Sequence, residues 1–233
     1  MKKRTRLERE IISCLAERVK NINYELYKED YSGNLGHKIE FVKKVAEVQV
    51  YMILRFVKPN YLRLQTQLVV HSEKVNRELD GYVEAYDEHG VPLINFDIED
   101  YYEEEEGEDA NYFFIDKGKI EVEALVNRMY ERYFMKAETD FIPNMSGLEK
   151  LDQFINDERN WEGDNLVLSP FCFPIQFQII AGTVCAVLSG NNKSDLIVNR
   201  YLEYSRKEFR VNEDSLIDGY WRYLEDKMPE VSM

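Results

Sequence analysis

Apolar residues recur at two different spacings along this chain, and each spacing occupies its own part of the sequence. Between residues 22 and 98 they recur at every second position, as in Val48, Val50, Met52, Leu54 and Phe56. From about residue 118 onward they recur at every third or fourth position. The first spacing is typical of strands with one buried face, and the second of amphipathic helices. Strands followed by helices predict an α+β protein with segregated layers.

The strand region predicts a mainly antiparallel sheet of five or six strands over about residues 22–98. Its strongest element is a long hairpin in which Ala46–Phe56 and Leu62–Val70 flank the turn at Lys58–Pro59–Asn60. The other strands are expected from Ile22, from Ile39, at Tyr82–Tyr86 and at Val91–Ile98, the last two joined by the turn Asp87–Gly90. The polar residues 72–80 predict a helical turn.

Helical spacing predicts one helix before the sheet and four or five after it. The first helix covers about residues 5–21, where Thr5 and Glu8 form a capping box. The later helices are expected at about 118–138, after a capping box at Ser146 and Glu149, at 175–188, from Ser194 and from Asp214. We expect this C-terminal group to pack on the sheet. A strand is the alternative for residues 171–188, because Phe173, Ile175, Phe177 and Ile179 alternate with other residue types.

We expect a single domain over residues 1–233. The alternative is a division near residues 100–111, between a sheet-rich half (1–99) and a helical half (112–233). The longest uncharged stretch, Asn165–Asn192, is interrupted by Pro170 and Pro174, so we expect a buried core helix there and no membrane span. Charged residues follow the basic N-terminus where a signal peptide needs apolar ones, so we expect no export signal.

Charge and cysteine content narrow the class of protein further. With 44 Asp and Glu against 30 Lys and Arg, the formal net charge is −14, which argues against direct nucleic-acid binding through a basic face. Cys14, Cys172 and Cys185 are odd in number and widely spaced, which predicts three reduced thiols, at least two of them in a core. Reduced thiols and the absence of an export signal predict a cytoplasmic protein.

One acidic run dominates the charge distribution. It places nine carboxylates within thirteen residues, without a lysine or an arginine, and supplies nine of the fourteen excess charges. Its members are Asp97, Glu99, Asp100, Glu103, Glu104, Glu105, Glu106, Glu108 and Asp109. We expect these residues to contact a basic partner, because concentrated charge accelerates encounter with a surface of opposite sign. A solvated linker and a cation site are the alternatives, although the spacing does not match a Ca²⁺ loop.

No catalytic motif stands out, and we assign no catalytic residue, metal or cofactor. His37, His71 and His89 lack metal-binding helical spacing, which leaves a site assembled in three dimensions from His71 and a carboxylate as an alternative. Ser146 and Ser169 are interpreted as helix caps, since no GxSxG frame is present. Glu225-Asp226-Lys227 has the Glu-x-Lys spacing of some nucleases but ends an apparent helix, where the two side chains diverge.

These observations favour a protein-binding function over an enzyme. The sharpest version is an inhibitor or immunity-like protein that neutralises a basic partner. Tyrosine is frequent in and beside the sheet and supplies contact area at interfaces, although half-buried sheet residues are the simpler interpretation. The alternative is a hydrolase or transferase whose site forms only in three dimensions, between sheet and helices. The sequence leaves the partner, the oligomeric state and the strand order open.

Overall fold

The computed structural model describes residues 6–32, 36–57, 63–98, 121–162, 165–167, 169, 171–172 and 174–232. It shows an N-terminal helix, a five-stranded antiparallel sheet and then several C-terminal helices, so the predicted α+β class is confirmed. Among the described residues, no helix combines the length and the apolar character that a membrane crossing requires.

The N-terminal helix forms as predicted. Helix α1 spans Arg6–Val19, and its apolar stripe, which includes Ile11, Leu15 and Val19, is buried. A short 3-10 helix, Lys20–Ile22, follows it. Asn23 then adopts a left-handed backbone, which asparagine tolerates better than most residues, and its N–H donates to the Lys20 carbonyl. The expected strand start at Ile22 is therefore wrong, since the first strand begins two residues after Asn23.

The sheet has five strands in simple sequential order. They are β1 (Glu25–Ser32), β2 (Gly36–Val45), β3 (Val48–Val57), β4 (Arg63–Ser72) and β5 (Ile94–Asp97), ordered β1-β2-β3-β4-β5. In the β1–β2 pair, Leu26 lies opposite Phe41 and Lys28 opposite Glu40, so Tyr27 is an extra residue that forms a bulge. The strand order, which the sequence left open, thus follows the order of the chain, although residues 73–93 separate β4 from β5.

One strand boundary and one predicted strand differ from the structure. Ala46 lies in the turn between β2 and β3, with a positive φ of 51°, and does not begin the long strand. Residues 82–86 do not form a strand, because the chain is still turning after helix α2 (Glu73–Leu79): the N–H groups of Tyr82 and Val83 both donate to the Leu79 carbonyl. Helix α2 itself matches the helical turn expected at residues 72–80.

The second half is helical, with an unusual stretch at its start. Helix α3 (Val122–Met129) continues into π-helical turns at Tyr130–Met135 and Ala137–Phe141 and then into α4 (Ile142–Met145), where one regular helix was expected. The remaining elements are α5 (Leu148–Ile155), a 3-10 helix (Glu158–Asn160), the short strands β6 (Trp161–Glu162) and β7 (Asn165–Leu166), α6 (Ile175–Ser189), α7 (Ser194–Glu208), α8 (Ser215–Lys227) and α9 (Pro229–Ser232). Helix α6 settles the choice between helix and strand at residues 175–188.

The predicted helix caps are partly correct. Asp214 caps α8, because its carboxylate accepts hydrogen bonds from the N–H groups of Leu216 and Ile217. The capping box at Ser146 and Glu149 is wrong: the Leu148 N–H, at the start of α5, donates to Glu47 Oε1 at 2.9 Å. Ser169 caps no helix either, since α6 begins at Ile175.

The chain divides into two compact units, each made of separated segments. The first unit comprises Met1–Lys44, Val50–Leu68 and Asp97–Pro143, and the second comprises Val45–Gln49, Val69–Phe96 and Asn144–Met233. In the core of the first unit, the ring of Phe134 meets the edges of Tyr24 and Phe41, at centroid separations of 5.2 and 5.5 Å. In the second unit, α6 is buried along residues 177–186 and contacts α5, α7 and α8.

Candidate functional site

The acidic run begins at the end of the sheet. Asp97 is the last residue of β5 and is half-buried. The other members lie outside the described residues, namely Glu99, Asp100, Glu103, Glu104, Glu105, Glu106, Glu108 and Asp109. Contact between this run and a basic partner therefore stays a prediction.

The tyrosines of the sheet region divide between core and surface. Tyr24 and Tyr51 are buried, whereas Tyr27 and Tyr86 are 51% and 56% exposed. Tyr27 packs edge-on against Tyr51, and Tyr86 packs edge-on against Phe177. The side chains of Tyr31, Tyr61, Tyr101 and Tyr102 lie outside the described residues. Tyrosine frequency alone thus does not indicate an interface.

Two histidines and two carboxylates lie together in the second unit. His71 is the penultimate residue of β4, and Asp87, Glu88 and His89 occupy the turn that leads toward β5. We call these four residues the histidine cluster. His37 does not belong to it: His37 lies on β2 in the first unit, where its Nε2 is 3.9 Å from Glu29 and its ring stacks on Phe56.

Helix α2 holds the turn of the histidine cluster in place. The Asn76 side chain donates to the His89 carbonyl at 2.5 Å and accepts from the Val91 N–H at 3.1 Å. Gly90 has a φ of +105°, and a Cβ at this position would lie 2.4 Å from the Asn76 amide group. The turn consequently needs glycine here, both for its backbone conformation and for the close approach of Asn76.

The histidine cluster pairs each imidazole with one carboxylate. His71 Nε2 lies 3.7 Å from Asp87 Oδ2, and His89 Nε2 lies 3.7 Å from Glu88 Oε1. The two imidazole ring centres are 5.5 Å apart. The histidine side chains are almost fully buried, whereas those of Asp87 and Glu88 are 32% and 43% exposed. Such groups serve in proteins as acid–base catalysts or as metal ligands.

Sequence analysis left open a site that combines His71 with a carboxylate, and in the structure His71 does lie beside Asp87. The sequence did not identify Asp87, Glu88 and His89 as the neighbours of His71. The sequence of β4 did contain one indication. Gln65, Gln67, Val69 and His71 lie on the same face of this strand, which is polar at Gln65 and Gln67 but buried at Val69 and His71. A histidine where the polar face of a strand becomes buried is a candidate for a specific contact.

A second buried polar group, Asp152 on α5, was missed by sequence reasoning. Its carboxylate accepts hydrogen bonds from the side chains of Asn156, Ser189 and Asn191, at 2.7, 3.2 and 2.6 Å. Asn156 also donates to the Gly182 carbonyl and accepts from the Tyr201 hydroxyl. The sequence feature that could have indicated its burial is its position within the apolar stripe of Leu148, Leu151 and Ile155. This network joins α5, α6 and α7, and we interpret it as structural.

The first unit contains a half-buried ion pair that involves the π-helical segment. Lys43 Nζ lies 2.5 Å from Glu138 Oε2 and 5.5 Å from the ring centre of Tyr24. Burial, with the nearby Glu138 carboxylate as a second cause, raises the pKa of the Tyr24 hydroxyl well above its usual value. The phenol is thus neutral at physiological pH. Because the half-buried pair contains one charge of each sign, it balances its own charge, and we interpret it as structural.

The three cysteines are free, and two of them are buried, as predicted. Burial raises the pKa of Cys172 to about 12, and burial also raises the pKa of Cys185. Neither residue carries a thiolate at neutral pH, so neither is a nucleophile. Cys14, on α1, is exposed.

A groove of about 410 Å³ lies between α7 and α8 in the second unit. Arg206, Trp221 and Glu225 line it, and the Trp221 indole donates to Ser205 Oγ at 2.9 Å. None of the described residues that line this groove is a histidine or a cysteine. Its residues therefore do not supply the acid–base pair that the enzyme alternative requires.

Glu225, Asp226 and Lys227 lie at the end of α8, as expected. Asp226 accepts a hydrogen bond from the Tyr82 hydroxyl, and Lys227 Nζ lies 5.9 Å from the Tyr82 ring centre. A nuclease motif of this spacing needs the side chains of Glu225 and Lys227 on one face. On a helix, residues two apart point to different faces, so this motif does not form here.

Comparison with known protein families, with curated protein sequences and with solved structures finds no match for this chain.

Proposed function

We propose that this chain is a cytoplasmic protein-binding protein, of the inhibitor or immunity-like kind, that neutralises a basic protein partner. One observation carries the proposal: nine of the fourteen excess negative charges fall within the thirteen residues from Asp97 to Asp109. This run begins at Asp97, the last residue of β5, and residues Ile94 and Phe96 of that strand are buried.

The electrostatic argument concerns the rate of encounter. At physiological ionic strength, dissolved ions screen the interaction between exposed charges beyond about 8 Å, so scattered surface charges add little to long-range attraction. Charges concentrated in a short segment act together on a nearby basic surface and raise the association rate. The run therefore contributes more to partner capture than its share of the net charge suggests.

The first test is a pull-down from native lysate at low salt with three tagged forms of the chain. One form is the wild type. In the second, Glu103, Glu104, Glu105 and Glu106 are changed to Gln. In the third, the same substitution is made at four exposed glutamates outside the run, namely Glu10, Glu84, Glu203 and Glu225. Both variants lower the magnitude of the formal net charge equally, from −14 to about −10.

We expect a basic protein to be captured in stoichiometric amount by the wild type and by the third form, but not by the second. The matched charge of the two variants separates an effect of the run from an effect of net charge. Equal capture by all three forms would contradict the proposed role of the run. Capture of no protein by any form would contradict the binding function itself.

A second candidate function, a hydrolase or transferase, is favoured by the histidine cluster alone. His71 lies beside Asp87, and the partly exposed carboxylates connect the buried imidazoles with solvent. This is the combination of groups that general acid–base catalysis uses. The test is a screen with chromogenic ester and phosphoester substrates. We expect any turnover to fall at least about 100-fold in His71→Gln, since that is the usual contribution of such a group; turnover equal to that of the wild type would refute this candidate.

A further inference from the structure

We propose that the histidine cluster binds one divalent first-row transition-metal ion of the Zn²⁺ type. His71 and His89 supply imidazole nitrogens, and Asp87 and Glu88 supply carboxylate oxygens. The inference depends on neither proposed function, because metal binding is measured without a partner protein or a substrate.

Two pairs of ligand atoms and the two imidazole rings have separations close to those in a metal site. Zn²⁺ binds imidazole nitrogen and carboxylate oxygen at about 2.0–2.2 Å, so two ligands of a tetrahedral ion lie about 3.4 Å apart. Both His–carboxylate pairs of the cluster have a separation of 3.7 Å. By the same geometry, two imidazoles on one ion place their ring centres about 5.2 Å apart. The observed separation between the rings of His71 and His89 is 5.5 Å.

The donor set selects the class of metal. Imidazole nitrogen favours Zn²⁺ and the neighbouring transition metals, whereas Mg²⁺ and Ca²⁺ prefer oxygen ligands throughout. Two nitrogens and two carboxylate oxygens also balance the charge of a divalent ion. The cluster thus fits Zn²⁺ or Co²⁺ better than an alkaline-earth ion.

The turn orients one carboxylate toward the site in advance. Asp87 Oδ1 accepts the His89 backbone N–H at 2.8 Å, which leaves Oδ2 facing His71. Asn76 fixes the backbone on the other side of His89 through its carbonyl. Hydrogen bonds of this kind hold ligands of known metal sites in their binding orientation.

Among the described residues, no three of these four bring ligand atoms within 4.8 Å of one another. Binding of the ion therefore requires side-chain rotation. The Glu88 side chain, which is 43% exposed, is less confined than the two buried imidazoles and can change its rotamer. The exposure of Asp87 and Glu88 also gives the ion a path from solvent to the buried imidazoles.

The test is titration of the whole metal-free chain with Zn²⁺ by calorimetry and with Co²⁺ by visible absorption, which reports tetrahedral coordination. The main variant is the double substitution Asp87→Asn and Glu88→Gln, because both side chains are partly exposed and the introduced asparagine retains an acceptor for the His89 N–H. His71→Gln removes an imidazole, and circular dichroism checks that each variant folds. Glu84→Gln is the matched control, since Glu84 is exposed and lies three residues before the turn.

We expect the wild type and Glu84→Gln to bind one equivalent of Zn²⁺ with the same affinity. The double variant and His71→Gln should bind at least about 30-fold more weakly, because loss of a hydrogen-bond partner of a ligand alone costs about 10–100-fold and these residues are the proposed ligands. The variant with Glu103–Glu106 changed to Gln should bind as the wild type does. Unchanged affinity in the double variant, loss of binding in the Glu103–Glu106 variant, or no tetrahedral Co²⁺ spectrum in the wild type would overturn the inference.

Discussion

Replacing Gly182 with alanine tests the packing between α6 and α7. Gly182 lies in the middle of α6, and a Cβ there would lie 2.4 Å from Cε2 and from the hydroxyl oxygen of Tyr201. Normal contact between carbon atoms is about 3.5–4.0 Å, so the Tyr201 ring has to move by about 1 Å. Tyr201 is fully buried and has little room for this movement.

The expected loss of stability combines three effects. Overpacking of a core costs about 1–3 kcal/mol. Movement of the ring also breaks the 2.9 Å hydrogen bond from the Tyr201 hydroxyl to Asn156 Oδ1. A buried acceptor left without its donor costs about 1–3 kcal/mol. Alanine in place of glycine favours the helix by about 1 kcal/mol. We therefore expect Gly182→Ala to lower the free energy of unfolding by about 3 kcal/mol.

The assay is urea unfolding of the whole chain, followed by circular dichroism. We expect a lower urea midpoint with an unchanged slope, because the surface exposed on unfolding stays the same. The matched background is Tyr201→Leu, which removes the ring that the new methyl group meets. In that background Gly182→Ala should not destabilise the chain, and the helix propensity of alanine should raise the free energy of unfolding by up to about 1 kcal/mol. An equal loss of stability in both backgrounds would refute the assigned contact, because residues that do not interact give additive effects.

Three further predictions concern single contacts. Glu47→Ala should lower the free energy of unfolding in urea by about 1 kcal/mol, as for loss of a helix cap, since Glu47 accepts the first N–H of α5; unchanged stability would contradict this role. A thiol reagent at pH 8 should modify Cys14 alone in the folded chain and all three cysteines in denaturant, and rapid reaction of Cys172 in the folded chain would show that it is not buried. The side-chain hydrogen bond from Arg159, followed by that from its backbone, lowers the pKa of Asp157 to about 2. The stabilisation from this carboxylate is thus present above pH 3.8 and is lost as the pH falls toward 2. NMR titration of Asp157 should show a higher pKa in Arg159→Ala than in the wild type. The same pKa in both forms would exclude the contact.

Long, regular patterns made much of the fold predictable. The alternation in β3 and β4 indicates strands because one residue in two must face the core, and the apolar stretch of α6 is too long and too apolar for an exposed loop. The turn at Ala46 was missed because it contains none of the residues that usually mark a turn. The π-helical segment was missed because apolar residues three or four apart fit α-helical and π-helical turns alike.

The candidate sites depend on contacts between distant parts of the chain, which periodicity does not reveal. Glu47 caps a helix that begins 101 residues later, so no local capping pattern could predict it. His71 and His89 meet because α2 and a tight turn lie between them. Single polar residues on apolar faces, such as Asp152 on α5 and His71 on β4, were the available signals.

The central claim is that the acidic run, rather than net charge alone, brings a basic partner to this protein. The most direct measurement is the stopped-flow association rate with the captured partner at low and at high salt. For the wild type and for the variant with Glu10, Glu84, Glu203 and Glu225 changed to Gln, we expect the rate to fall on the order of tenfold as salt rises. The variant with Glu103–Glu106 changed to Gln should start slower and depend less on salt. The same rate and the same salt dependence in all three forms would contradict the claim.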